Sequence, residues 1–167
     1  GSSHEVDSSE AAYKIAASLA LKEAAKKKEY SFLIKGRVCR EILEIGSIRY
    51  GMPKYKGPDT EYRYVTKDAI ENTKDFHYEH VVPIVLFTKL FENPELTFED
   101  FDNLIKTKMF VCKVSDNENK NLKCKDKMPD GQNLSTETPV WARYRKENTK
   151  NKIEIIVFDR YNDQRVN

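Results

Sequence analysis

The sequence predicts an α+β fold: an N-terminal helical pair, then a strand, inserted helices, a second strand and a helix, and a further strand near the C-terminus. Three observations carry this expectation. Residues 11–28 are rich in Ala, Leu, Glu and Lys, the strong helix formers. Two short runs, Phe76 to Val82 and Met109 to Val114, have the length and residue types of strands. Directly after the second run, Ser115-Asp116-Asn117-Glu118 has capping-box spacing, so strand leads straight into helix.

Taken in order, residues Gly1 to about Glu10 are small, polar and unpatterned. Their Gly-Ser-Ser-His start looks like an expression-vector remnant, so 1–10 reads as a leader outside the fold. The first helix, Ala11 to about Lys28, clusters Ile15, Leu19, Ala20 and Leu21 on one side. A second helix, about Ser31 to Ile45, spaces Ile34, Val38, Ile42 and Ile45 on one face, with Gly46 as its stop. Ser47 to Val65 carries Gly51, Pro53, Gly57 and Pro58 and reads as a long loop, and loops of that length usually do something.

Thr66 then caps a short helix to about Asn72, and Pro83 ends the first strand because it lacks an N–H to donate. Ile84, Phe87 and Phe91 resume helical spacing up to Asn93-Pro94, and Thr97 opens a second inserted helix through Phe101, Leu104 and Ile105. Residues 123–137 are polar and turn-rich. Val140 to Tyr144 and Ile153 to Phe158 read as closing elements, the latter a strand buried on both faces. The result is one domain over 11–167: a helical part at 11–72, a strand-strand-helix core at 76–123 and an extension at 124–167.

Composition bounds the function classes. A chain of 167 residues with 39 % hydrophobic and 34 % charged residues fits one globular domain. No apolar stretch reaches the roughly 18 residues of a membrane span, and Pro83 interrupts the longest, so no membrane partner is expected. The net charge of +2 neither demands nor forbids a polyanion, and distribution decides. Acids gather around 92–102, while Lys54, Lys56 and Arg63, and later Arg143, Arg145 and Lys146, form separate basic stretches. Cys39, Cys112 and Cys124 include no C-x-x-C pair, so a structural zinc knot is not expected, and Cys39 and Cys112 read as small buried hydrophobes. Without a signal peptide in the sequence, the thiols point to a reducing, cytoplasmic compartment.

The chemistry concentrates at Glu79-His80-Val81-Val82-Pro83. An acid and a histidine at a strand end, and Asn119 in the first turn of the helix after the next strand, form a β-β-α arrangement with three polar side chains able to converge. A histidine with an ordinary pKa of about 6.5 suits the removal of a proton from water. A carboxylate and an amide oxygen suit a hard cation such as Mg2+, or Mn2+, better than structural zinc.

Over about Phe76 to Lys123 the sequence resembles the HNH, or His-Me finger, endonuclease superfamily, whose core is the ββα-metal fold. The resemblance implies His80 as the general base and Glu79 and Asn119 as ligands to one divalent cation. It also implies hydrolysis of a phosphodiester to a 5′-phosphate and a 3′-hydroxyl. The sequence departs from the pattern in four respects: Glu79 stands for the more frequent aspartate, the inserted helices lengthen the spacing, the last histidine is missing with Lys123 one turn beyond Asn119, and the zinc-binding cysteine pairs of many members are absent. Asn117 and Asn121 remain alternatives to Asn119, with Asn103 a weaker one.

The expected partner is DNA, with RNA not excluded, and the sequence does not choose among restriction, defence, a mobile element or a phage, nor set the oligomeric state. Substrate contacts are assigned to Lys54, Lys56, Arg63 and Arg143, with Tyr50, Tyr55, Tyr62 and Tyr64 available for base stacking and Trp141 as a structural anchor. Two other readings stand beside it: a catalytically silent nucleic-acid-binding module on the same scaffold, and a helical protein-interaction domain.

Overall fold

A computed structural model describes residues 3–24, 37–53, 61–72 and 74–167. Its helices are α1 (Ser3–Ala24), α2 (Cys39–Arg49), α3 (Lys67–Glu71), α4 (Ile84–Thr88), α5 (Phe98–Lys108) and α6 (Asp116–Asn121). Its strands are β1 (Tyr64–Thr66), β2 (Phe76–His80), β3 (Val111–Ser115), β4 (Val157–Asp159) and β5 (Gln164–Arg165). The mixed α+β expectation holds.

The strands form one sheet in the order β2-β3-β1-β4-β5. β1 runs parallel to β3, and the other pairs are antiparallel. A helical layer of α1, α2, α4 and α5 closes one core around Leu43, Phe87, Phe91, Phe101 and Ile105. A second core, of Val65, Cys112, Val114, Tyr144, Ile155 and Val157, belongs to the sheet.

Side-chain caps set several helix starts where the sequence places them. The Thr66 hydroxyl accepts from Ala69 N, that of Thr97 from Asp100 N, and Ser115 with Glu118 completes a reciprocal capping box. Each satisfies an N–H that the first helical turn leaves without a partner.

The N-terminal helices differ from expectation in bounds and in face. α1 begins at Ser3, inside the stretch read as a leader. It buries Tyr13, Ala17, Ala20 and Leu21 and leaves Ile15 61 % and Leu19 56 % exposed. With apolar residues around most of its circumference, periodicity alone does not choose the buried side. The small residues allow the close approach that the larger ones would block.

α2 likewise buries Cys39, Ile42, Leu43, Gly46 and Ser47 while Val38 and Ile45 face solvent. Residues 31–36, including Ile34, lie outside the described residues, as do 25–28 of the first predicted helix. Gly46 does not stop α2. It lies within it, where a Cβ would meet Tyr13 Oη at 2.7 Å and Ile105 Cδ1 at 3.0 Å. Gly46 is therefore a contact point among α1, α2 and α5, and the chain turns at Gly51, with φ of 90°.

Gly46→Val should destabilise the fold by about 2 kcal/mol, because overpacking outweighs the helix-propensity gain of at most about 1 kcal/mol. Urea unfolding measures the loss, and a Tyr13→Phe background should shrink it. An equal loss in both backgrounds would exclude Tyr13 Oη as the source of the clash.

The C-terminal third is less regular than the sequence suggests. Of the predicted strand at 153–158, only Val157 and Phe158 join the ladder, together with Asp159; Ile155 is buried without strand pairing. Val140 to Tyr144 contributes a single 3₁₀ turn, Ala142–Tyr144. That turn places Arg143 beneath the end of β2.

Candidate functional site

β2 and β3 pair with Glu79 opposite Cys112 and His80 opposite Val111. Strand alternation puts His77 and Glu79 on one face and Tyr78 and His80 on the other. The helix α6 follows β3 without a gap and lies on the Glu79 side. There His77 Nε2 and Asp116 Oδ1 are 2.9 Å apart, and Asp116 also pairs with Lys120 at 2.8 Å. These bonds, the one from Lys120 first, hold the Asp116 carboxyl below its ordinary pKa.

Glu79 meets a buried arginine. Arg143, 2 % exposed, donates from Nη1 to Glu79 Oε1 at 2.6 Å and to the carbonyls of His80 and Val81 at 3.0 Å each. Its Nε donates to the Cys124 carbonyl at 2.7 Å, just past α6. One guanidinium thus ties the end of β2 to the segment that follows α6, and it does not face a phosphate as the sequence reading assigned. The planar fork of arginine satisfies several oxygens in fixed directions, which lysine cannot do.

His80 is the last residue of β2, its ring edge-on to Tyr78 with centroids 5.4 Å apart. Tyr78 is anchored in turn by its hydroxyl, which donates to the Pro53 carbonyl at 2.7 Å. Burial, helped by the charges of Arg40 and Arg143, lowers the His80 pKa to about 4. The imidazole is therefore neutral at pH 7.

Asn119 is half-buried on α6, and its carbonyl accepts from the Lys125 ammonium. Among the described residues its side-chain amide has no hydrogen-bond partner. Asn121 is buried and committed: its Nδ2 donates to the Asn117 carbonyl at 2.8 Å, and its Oδ1 accepts from Asn151 at 2.7 Å. Asn117 is exposed. Asn103 is exposed on α5, in the helical layer. Lys123, in place of a histidine, donates to the Glu147 carbonyl at 3.3 Å.

Among the described residues, no group of three or more His, Cys, Asp or Glu is arranged to hold a metal ion. The donors that remain are the second carboxylate oxygen of Glu79, for which the described residues supply no hydrogen bond, and the Asn119 amide. A carboxylate and an amide oxygen are hard donors of the kind that Mg2+ takes from proteins.

The proposed loop contacts fare differently. Lys54, Tyr55 and Lys56 lie outside the described residues. Arg63 binds Asp159 through two bonds of 3.1 and 3.0 Å and stacks over Tyr64 and Tyr161, so its guanidinium braces β1 against β4. Tyr62 and Tyr64 are buried, which removes them as stacking platforms, and Tyr50 donates to Asp102. Trp141 packs against Tyr64 and Phe110, the anchor expected of it.

Glu118 was legible only as a cap. In the fold its buried carboxylate, besides closing the cap on Ser115 N, accepts from the Thr66 hydroxyl, joining β1, β3 and α6, and burial raises its pKa.

Comparison of the chain with protein-family models, with curated proteins and with solved structures finds no match. Among the described residues, no helix is long and apolar enough to cross a membrane.

Proposed function

We propose that this chain is a metal-dependent endonuclease of the HNH, or His-Me finger, type, hydrolysing phosphodiester bonds of DNA. The supporting observation is the combination of Glu79-His80-Val81-Val82-Pro83 at the end of β2, its antiparallel pairing with β3 and the placement of α6 on the Glu79 face. In this reading His80 takes a proton from the attacking water. The water oxygen forms the new bond to phosphorus, the bond to the 3′ oxygen breaks, and that oxygen recovers a proton from solvent. Glu79 and Asn119 hold the divalent cation, Mg2+ or Mn2+. When bound, it offsets the negative charge that grows on the phosphate and the leaving oxygen.

Arg143 has two effects on this chemistry. It fixes the Glu79 carboxylate and the two carbonyls after it in one geometry, and its charge weakens the attraction of Glu79 for a cation. Cation binding is therefore expected to strengthen when substrate phosphate arrives. Asn119→Ala should raise the Mg2+ concentration needed for half-maximal cleavage at least tenfold, while Asn103→Ala should leave it unchanged. Equal effects would remove Asn119 from the ligand set.

Two observations favour a second reading, a nucleic-acid-binding module without catalysis: Glu79 is already paired with Arg143, and alternation turns His80 to the opposite face. Cleavage of supercoiled plasmid and of single-stranded DNA, with Mg2+ or Mn2+ and with EDTA as control, separates the two. Cleavage abolished by EDTA and by Glu79→Ala supports the nuclease; binding without cleavage under every cation supports the module.

A further inference from the structure

The charge of this chain is not spread evenly. Residues 120–127 hold Lys120, Lys123, Lys125 and Lys127 against Asp126, and residues 145–152 hold Arg145, Lys146, Lys150 and Lys152 against Glu147. Eight cations thus face two acids in a chain whose net charge is only +2, so the remainder is acidic.

The fold brings these segments together. Leu122 and Thr149 form an antiparallel bridge, Lys150 N donates to the Asn121 carbonyl at 2.7 Å, and Lys123 N to the Asn148 carbonyl at 3.4 Å. Backbones bridged in this way lie about 5 Å apart, which sets the two cationic segments side by side. Among the described residues, the one ion pair they make is Lys120 with Asp116. Lys123 and Lys125 are held instead by main-chain carbonyls, and Lys127, Lys146, Lys150 and Lys152 are exposed. Cys124, between Lys123 and Lys125, carries the carbonyl that Arg143 binds while also holding Glu79, so this surface adjoins the candidate site.

We infer that the paired segments 120–127 and 145–152 form a docking surface for the phosphate backbone of duplex DNA, leading to the Glu79 end of β2. Neither segment contains an aromatic residue, so the surface offers point charges for phosphates and no platform for unstacked bases. That chemistry suits a duplex, with its regular rows of phosphate, better than a single strand. The inference rests on the nuclease reading for the identity of the polyanion, but its test does not require cleavage.

The test is fluorescence anisotropy with a labelled 30-base-pair duplex, in EDTA, from 50 to 200 mM NaCl. The variant Lys125→Gln/Lys127→Gln/Lys150→Gln/Lys152→Gln is compared with Lys14→Gln/Lys22→Gln/Lys89→Gln/Lys106→Gln, which removes the same charge from the helical layer. Thermal melting checks that both remain folded. With about 0.9 ions released per phosphate contact, the first variant should lower the slope of log K against log salt by about 3 to 4 and bind at least tenfold more weakly at 100 mM. The second should bind as the parent does. Equal weakening in both variants overturns the inference, as does parent binding to anionic lipid vesicles or a single strand in preference to the duplex. If the duplex binds as expected and no cation supports cleavage, the docking surface stands and the nuclease reading falls.

Discussion

Arg143→Met should destabilise the fold by about 3 to 5 kcal/mol, the range for a buried ion pair that loses one partner. The substitution preserves much of the buried volume. It leaves the Glu79 carboxylate, only 16 % exposed, without its counter-charge, and removes the donor from the carbonyls of His80, Val81 and Cys124. A hydrogen bond from a charged group is worth about 1.5 to 3 kcal/mol, so these four contacts are more than enough to account for the loss. With a urea slope of about 1 to 3 kcal/mol per molar, the unfolding midpoint should fall by at least 1 M at unchanged slope. Glu79→Gln in the Arg143→Met background should recover part of the loss, because it removes the stranded charge. A midpoint shift under about 0.3 M for the single variant would show that the guanidinium is not what holds this corner.

His80→Ala should reduce cleavage by about 10²- to 10⁴-fold, the usual contribution of a positioned general base. The pH dependence is the more discriminating readout. A base must be unprotonated, and the His80 pKa is lowered to about 4, so the rate should stay level from about pH 8 down to 5 and fall only below that. An acid limb centred near 6.5 would place the base elsewhere or show that substrate changes the environment of His80.

The same shift links to stability. The unfolded imidazole takes up a proton as pH falls through 6.5 while the folded one resists until about 4, so protonation favours the unfolded state across that window. The fold is expected to be steady above pH 6.5 and to lose up to about 3 kcal/mol between 6.5 and 4 from this group. His80→Ala should flatten that part of the profile.

What the sequence made legible was local. Thr66, Thr97 and Ser115 announce helix starts because a cap involves residues three apart, whereas β2 ends at His80, short of the Val82 that Pro83 led the sequence to suggest. The faces of α1 and α2 were not legible: Ile15 and Val38 are as apolar as Ala17 and Leu43, and only packing decides which side turns inward. Gly46 has the composition of a stop signal but acts through Tyr13 and Ile105, residues remote in the chain. The motif around Glu79 and His80 was visible, whereas the partner that fixes Glu79 lies 64 residues later. Arg63 and Arg143 looked like free cations because nothing nearby in sequence reveals Asp159 or Glu79. The basic character of 120–127 was passed over as part of a polar connection, and the bridge that joins it to 145–152 is not visible in the sequence.

The position of β1 bears on how this molecule is made. β1 lies between β3 and β4, and Tyr64 pairs with Cys112 on one side and Asp159 on the other. A ribosome adding about 5 to 20 residues per second emits β3 some seconds before β4, so for that interval the nascent sheet presents β1 as an open edge. Such an edge is a template for pairing with another chain until Val157 to Asp159 arrives to cover it. Stalled nascent chains ending before Val157 should therefore be cut near Tyr64 by added protease and bound by chaperones, and chains extended well past Asp159 should be protected. Equal protection at both lengths would mean that the edge is shielded by something other than β4.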